Sequence, residues 1–151
     1  MKTEILIIGA GPAGIFTAIE LRRLGCRRKI TIVEKGKAVE DRRCPKAQTQ
    51  KCVNCKPYCS ITTGFSGAGA FSDGKLSLSY EVGGEFPSLI GAEAAQSVID
   101  YADTIYLDFG ADTRVEGKDE TEEVKEIRRR AISAGLKLVL CPIRHLGTEK
   151  A

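Results

Sequence analysis

The segment ILIIGAGPAG at residues 5–14 decides the fold of this 151-residue chain. Its first four residues form a short apolar run, which is typical of a strand buried on both faces, and its last six have the spacing G-x-G-x-x-G. Apolar residues at helical spacing follow until Gly25, and the β-branched run KITIVE comes next at residues 29–34. This order predicts a strand–helix–strand unit with parallel strands and a right-handed crossover.

The three glycines of this segment each have a physical role in binding a dinucleotide. Gly9 allows a tight turn, Gly11 lets the backbone approach a pyrophosphate, and Gly14 lets the helix pack closely on the strand. Free N–H groups at the start of the helix, together with the positive end of its dipole, favour a diphosphate beside Pro12 and Ala13. A glycine-rich turn without a ligand is the alternative, but the flanking strand and helix favour a dinucleotide site.

An acidic residue, Glu34, ends the second predicted strand, twenty residues after Gly14. A carboxylate at this position accepts hydrogen bonds from the adenosine ribose hydroxyls, and its charge repels a 2′-phosphate. The pattern therefore favours FAD or NAD over NADP as the bound cofactor, with Lys35 as a further contact.

The middle of the chain predicts a long loop followed by two helices. Residues 36–91 lack regular periodicity apart from an alternating run at residues 75–82, which predicts a strand. Apolar spacing then predicts helices over residues 98–109 and 119–135. The second helix is expected to begin at a capping box formed by Asp119 and Glu122. It is also expected to bury one stripe of side chains: Val124, Ile127, Ala131 and Ala134.

A third buried strand is expected near the end of the chain, over residues 136–141 (LKLVLC). We expect residues 5–8, 30–33 and 136–139 to lie in one mainly parallel sheet. His145, the single histidine of the sequence, follows the third strand, where ligands bind in open α/β sheets. A surface histidine without a ligand is the alternative interpretation.

A second glycine-rich segment spans residues 64–76 (GFSGAGAFSDGKL). Its glycines permit positive φ and a close approach of the backbone to a flat or anionic ligand, and Lys75 offers a positive charge to a phosphate. The candidate cofactor contacts in this segment are Gly67, Ala68, Gly69 and Lys75. A flexible surface loop is the alternative.

Four of the six cysteines cluster with the spacing C-x7-C-x2-C-x3-C: Cys44, Cys52, Cys55 and Cys59. The two-residue spacing suits tetrahedral coordination, so the four thiolates could hold Zn²⁺ or an iron–sulfur cluster, and we expect their sulfurs to converge. A redox dithiol of Cys52 and Cys55, beside Lys51 and Lys56, is a second interpretation. Structural thiols in a loop are the third. Cys26 and Cys141 are expected to stay apart from the cluster.

Composition excludes several classes of function. With 23 basic and 20 acidic residues, the net charge of +3 is too small to indicate nucleic acid or an anionic membrane as a partner. No apolar run approaches the ~18 residues that span a bilayer. Several cysteines without a recognisable signal peptide indicate reduced thiols, so we expect a cytoplasmic α/β protein.

The fingerprint IIGAGPAG and the sequence VEKG at residues 33–36 resemble the glutathione-reductase-like flavoproteins, which have two dinucleotide-binding domains. Three later motifs closely resemble uncharacterised FAD-dependent dehydrogenases: RCPK at residues 43–46, the glycine-rich segment at residues 64–76, and PIRHLGT at residues 142–148. The resemblance covers essentially the whole chain, and the glycine-rich segment is its most specific part.

The resemblance implies a fold, a cofactor and an activity. It implies that residues 1–151 are the N-terminal portion of a Rossmann-like FAD-binding domain, with a Cys- and Gly-rich loop at residues 36–75. It further implies a longer oxidoreductase with bound FAD, an unknown small-molecule substrate and NAD(P)H as a candidate electron donor. The glycine-rich segment would line the pyrophosphate and the flavin ring. A non-catalytic metal- or dinucleotide-binding module is the alternative function.

Overall fold

The predicted strand–helix–strand unit begins the fold in the computed structural model, which describes residues 2–147. Strand β1 (Ile5–Ile8) pairs in parallel with β2 (Ile30–Val33), and the two strands are aligned from first to last residue. Helix α1 (Pro12–Arg23) connects them. Its first residue is a proline, whose fixed φ suits the helix start, and its last turn carries two arginines, which suit the negative end of the dipole. The predicted strand–helix–strand unit with parallel strands is confirmed.

The parallel sheet is smaller than predicted, because it has two strands within residues 2–147. The expectation that β1 is buried on both faces is therefore wrong. Leu6 is 54% exposed, Ile8 is 85% exposed and Val33 is 50% exposed. Within its own unit the two-stranded sheet leaves these side chains largely uncovered.

The described chain divides into two compact units, residues 2–72 and residues 73–147. The first contains the parallel sheet and a largely irregular segment after it. Regular structure in that segment is limited to three short elements: a 3₁₀ turn at Val39–Asp41, helix α2 (Lys46–Thr49) and a second 3₁₀ turn at Gly67–Phe71.

The second unit combines three helices with an antiparallel sheet. Its elements in chain order are β3 (Lys75–Ser77), α3 (Phe86–Ile90), α4 (Ala92–Asp108), β4 (Val115–Glu116), α5 (Glu122–Ser133) and β5 (Ile143–His145). The strand order is β3-β5-β4, and both neighbours of β5 run antiparallel to it. A buried arginine on β5, Arg144, forms an ion pair with Asp103 of α4 and donates to the backbone oxygen of Asp112 at 2.7 Å.

The predicted third parallel strand is wrong. Residues 136–141 form no strand, and the strand that does form near the end of the chain, β5, lies in the antiparallel sheet. Leu136 remains 64% exposed. An apolar run indicates a tendency to be buried, but it does not specify which strand it pairs with. In this structure β3 and β4 pair with residues 143–145.

The predicted strand at residues 75–82 is shorter than expected, whereas both long helices are confirmed. Helix α5, however, begins at a different cap: Thr121 Oγ1 accepts from the Val124 backbone N–H at 3.3 Å, so the expected pairing of Asp119 with Glu122 is wrong. Its apolar stripe is not buried either, and Ile127 is 54% exposed. No helix among the described residues is both long and apolar enough to cross a bilayer.

Candidate functional site

The turn between β1 and α1 has the geometry that its glycines predict. Gly9 has a φ of +100°, a conformation that L side chains rarely adopt. A Cβ on Gly14 would lie 2.0 Å from the carbonyl oxygen of Gly9, so the helix can approach the turn this closely only without a side chain. A Cβ on Gly11, by contrast, would meet nothing within 4 Å. The protein itself thus requires glycine at residue 14, and it leaves space beside Gly11.

The start of α1 presents backbone donors to this space. Gly11 is the N-cap residue and makes no side-chain capping hydrogen bond. The first hydrogen bond of the helix runs from the Ile15 N–H to the Gly11 carbonyl at 3.0 Å. In any α-helix the N–H groups ahead of that bond have no intrahelical partner, and here they belong to Gly11, Ala13 and Gly14, since Pro12 has none. These donors and the helix dipole can hold an anion.

Glu34 ties the turn to the end of β2. One carboxylate oxygen accepts from the Ala10 N–H at 2.9 Å, and the other accepts from the Gly36 N–H at 2.9 Å. The Ala10 and Gly36 amides, with smaller contributions from Lys35 and the Gly64 amide, hold the pKa of Glu34 below its usual value. The sequence analysis assigned the Glu34 carboxylate to a ribose. In the structure this carboxylate fixes the turn at residues 9–14, the fingerprint turn.

The second glycine-rich segment lies against the same turn. The Ser66 N–H donates to the Ala10 carbonyl at 2.8 Å, and a Cβ on Gly67 would come within 3.5 Å of the Gly11 Cα. Ser66 and Gly67 both have positive φ, 67° and 60° respectively. A Cβ on Gly69 would meet nothing within 4 Å. Two glycine-rich segments that are distant in sequence thus meet at Ala10. The first leaves space beside Gly9 and Gly11, and the second leaves space beside Gly69.

Ala10 is the residue of this site that the sequence did not identify. It is fully buried, its N–H is bound by Glu34, and its carbonyl is bound by Ser66. In the fingerprint it occupies a variable position, and its role depends only on its backbone, so no side-chain signal could have revealed it. The other candidate contacts near the turn, Pro12, Ala13, Lys35 and Ala68, have exposed side chains.

The remaining candidates, Lys75 and His145, belong to the second unit. The Lys75 ammonium pairs with the Asp73 carboxylate at 2.7 Å; this contact raises the pKa of Lys75 and lowers that of Asp73. The Nε2 atom of His145 lies 3.3 Å from a carboxylate oxygen of Glu116. This nitrogen is buried and makes no hydrogen bond. Lys75 and His145 are opposite each other on β3 and β5.

The cysteines of residues 44–59 are brought together at one cavity but do not form the predicted metal site. The cavity has a volume of about 130 Å³, and all four cysteines contribute to its lining. Within the described residues, no three Cys, His, Asp or Glu side chains are grouped closely enough to hold a metal ion, and the cysteines are free thiols. The four-thiolate site, with Zn²⁺ or an iron–sulfur cluster, is therefore not formed in this structure.

A buried arginine orders the segment that follows Cys59. Arg42 is only 3% exposed, and its guanidinium donates to the backbone carbonyls of Ser60, Ile61 and Phe65. Its charge also lies over the ring of Phe71, 4.8 Å from the centroid. Hydrogen bonds from one planar group to three carbonyls fix this segment without a metal. The sequence did not distinguish this arginine from its exposed neighbours.

The geometry of the first unit fits the diphosphate of a dinucleotide. A ligand phosphate beside Gly11 would meet N–H donors of α1, and a Cβ at either open glycine would occupy the space that such a ligand needs. Both segments that border this space belong to the same compact unit.

Comparison with known proteins supports an FAD-binding flavoprotein domain at the N-terminus. Residues 2–54 match the family described as "FAD binding domain". A relative from Clostridium beijerinckii, described as an uncharacterized protein, is 38% identical over 76 residues; this covers 50% of the present chain and 14% of the relative. The chain thus spans a small part of that relative's length. No solved structure matches the chain.

Proposed function

We propose that this chain is the N-terminal FAD-binding part of an FAD-dependent oxidoreductase of the glutathione-reductase-like class. In this proposal the two-stranded parallel sheet belongs to a larger Rossmann-like domain. The diphosphate of FAD is held by the Ala13 and Gly14 amides, and Gly67–Phe71 covers it from the opposite side. When bound, the flavin supplies the hydride chemistry, while the chain binds and orients it.

One observation carries the proposal: the turn at residues 9–14 leaves space at Gly11 although it is fixed on both sides. Glu34 binds the Ala10 amide, Ser66 binds the Ala10 carbonyl, and Gly14 packs against Gly9. A turn that served only to connect β1 with α1 would have no need of a glycine at residue 11, because its φ of −78° suits any residue. The match of residues 2–54 to an FAD binding domain agrees with this assignment.

Flavin retention by the purified full chain tests the proposal. We expect the wild-type protein, mixed with FAD and desalted, to keep flavin absorption bands at a molar ratio near one. Gly11→Val should abolish retention while leaving the thermal unfolding midpoint almost unchanged, since a Cβ at this residue meets no other protein atom within 4 Å. Thr17→Val, at an exposed position of the same helix, is the matched control and should retain FAD.

The oxidoreductase part is tested separately from cofactor binding. Anaerobic addition of NADH or NADPH to the flavin-loaded protein should bleach the flavin bands if a nicotinamide is the electron donor. A wild-type chain that takes up no FAD, or a Gly11→Val protein that retains it at wild-type occupancy, would show that the cofactor assignment is wrong.

A further inference from the structure

One residue of the second glycine-rich segment differs from the others that share its backbone conformation. Four residues of this segment have a positive φ, and three of them are glycines: Gly64, Gly67 and Gly74. The fourth is Ser66, with a φ of 67° and a ψ of 0°. In this left-handed conformation the Cβ of an L residue comes too close to a backbone carbonyl oxygen, so serine is less stable there than glycine. Serine at residue 66 therefore lowers the stability of the segment.

The Ser66 hydroxyl does not compensate for this loss of stability. Ser66 is the N-cap residue of the 3₁₀ turn at Gly67–Phe71, and a serine in that position commonly accepts a hydrogen bond from a backbone N–H of the turn. Here the side chain makes no capping hydrogen bond, and the hydroxyl has no other hydrogen-bond partner within residues 2–147. The side chain is half-buried. The hydroxyl is thus free to bind something that is not part of the described chain.

The backbone places this hydroxyl at the border of the open space beside Gly11. The Ser66 N–H donates to the Ala10 carbonyl at 2.8 Å, so the residue lies directly against the fingerprint turn. A Cβ on the next residue, Gly67, would lie 3.5 Å from the Gly11 Cα. The Gly67 N–H is also engaged, since it donates to the Gly64 carbonyl at 2.9 Å. Because both of these amides are bound, the hydroxyl is the donor that residues 66 and 67 can offer to a ligand.

We propose that the Ser66 hydroxyl donates a hydrogen bond to the diphosphate of the bound dinucleotide. This inference rests on the proposed function, because it requires a dinucleotide in the space beside Gly11. A hydroxyl that binds a charged oxygen makes a stronger hydrogen bond than one that binds a neutral group. Serine at residue 66 then lowers the stability of the free protein and raises its affinity for the dinucleotide, as is typical of strained residues at binding sites.

Thermal unfolding of the FAD-free protein tests the loss of stability. Ser66→Gly removes the strained Cβ, and we expect its midpoint to lie about 2–4 °C above that of the wild type. Ser66→Ala keeps a Cβ at the same φ and lacks only the hydroxyl, so its midpoint should differ from the wild type by less than about 1 °C. A Ser66→Gly protein that unfolds at or below the wild-type temperature would overturn the proposal.

Calorimetric titration with FAD and with ADP tests the hydrogen bond itself. ADP carries a diphosphate but no flavin, so a contact to the diphosphate affects both ligands. We expect Ser66→Ala to raise the Kd of each by about tenfold or more, the effect of losing one hydrogen bond to a charged group. Ser72→Ala is the matched control in the same segment. The Ser72 hydroxyl donates to the Gly69 carbonyl at 2.9 Å, and its removal should leave the Kd of FAD unchanged.

The failure of this inference can be distinguished from the failure of the proposed function. A wild-type protein that binds no FAD would show that the proposed function is wrong, and the inference would be wrong with it. If the wild type binds FAD and Ser66→Ala binds it equally tightly, the cofactor assignment stands and only the role of Ser66 is overturned. A higher Kd for FAD without a higher Kd for ADP would also overturn this role, because the hydroxyl would then contact the flavin part.

Discussion

Two loops of the first unit are fixed by single charged side chains in opposite ways. The fingerprint turn is held by an anion, since the Glu34 carboxylate accepts from the Ala10 and Gly36 amides. The segment at residues 60–65 is held by a cation, since the Arg42 guanidinium donates to three carbonyls. In both cases the charge is bound by backbone dipoles, so no oppositely charged partner is needed.

The two loops differ in how well each can be predicted from the sequence. The anion-held turn needs glycines at fixed positions, and this leaves the spacing G-x-G-x-x-G and an acidic residue after β2. The cation-held segment needs only carbonyl oxygens, which every residue has, so nothing marks Ser60, Ile61 or Phe65 as partners. The first loop was therefore predictable from the sequence, and the second was not.

The largest effect is expected from removing the cation. Arg42→Met would leave three partly buried carbonyls without this donor. At about 1 kcal/mol each, we expect the free energy of unfolding of the first unit to fall by about 3 kcal/mol. Hydrogen exchange monitored by mass spectrometry should show lost protection at residues 60–65. Arg43→Met, at the exposed neighbouring arginine, is the control. Similar exchange in the two variants would mean that Arg42 does not fix the segment.

A smaller effect distinguishes the two kinds of glycine in the anion-held turn. Gly14→Ala places a Cβ 2.0 Å from the Gly9 oxygen, so we expect a loss of about 1–3 kcal/mol in urea unfolding, the typical result of overpacking. Gly11→Ala has no such contact and should change stability by less than about 0.5 kcal/mol. If both variants unfold at the wild-type urea concentration, the close packing of α1 on the turn is contradicted.

The anion-held turn should also depend on pH. Because the pKa of folded Glu34 is lowered, its stabilising contribution is fully present above the ordinary glutamate pKa and is lost as the pH falls through the folded value. Glu34→Gln keeps one acceptor oxygen, but its NH2 group, which is a hydrogen-bond donor, then faces the other backbone N–H donor. We expect its thermal midpoint to lie below that of the wild type at pH 7, with the difference shrinking under acidic conditions. A difference that is constant from pH 7 to below the glutamate range would contradict this role.

The smallest effect comes from the second unit, where a neutral side chain holds a single amide. Thr121→Ala removes the acceptor for the Val124 N–H and should destabilise α5 by about 1 kcal/mol. Thr121→Ser keeps the oxygen and should lie close to the wild type in the same thermal unfolding measurement. An unchanged midpoint for Thr121→Ala would show that the cap contributes nothing to stability. The difference between this cap and the charged side chains of Glu34 and Arg42 would then be larger than we expect.

Much of the second unit could not be predicted from periodicity. Helical spacing identified α4 and α5 because an amphipathic repeat is a local property of about three turns of chain. The strand near the end was placed at residues 136–141, but it lies at residues 143–145, where β3 and β4 supply the partners. Strand formation depends on a neighbour that is distant in sequence, and the buried pair of Arg144 with Asp103 became evident only once β5 was placed beside α4.

The sequence by itself determined the parallel β1–α1–β2 unit and the functions of Gly9 and Gly14, because both follow from local backbone geometry and the absence of a Cβ. The tertiary structure alone decided that Ser66 and Glu34 meet at Ala10 and that Arg42 is buried against backbone carbonyls. These arrangements depend on backbone N–H and C=O groups coming together from distant parts of the chain. Such groups are the same in every residue, so their partners are fixed by the fold and leave no pattern in the side chains.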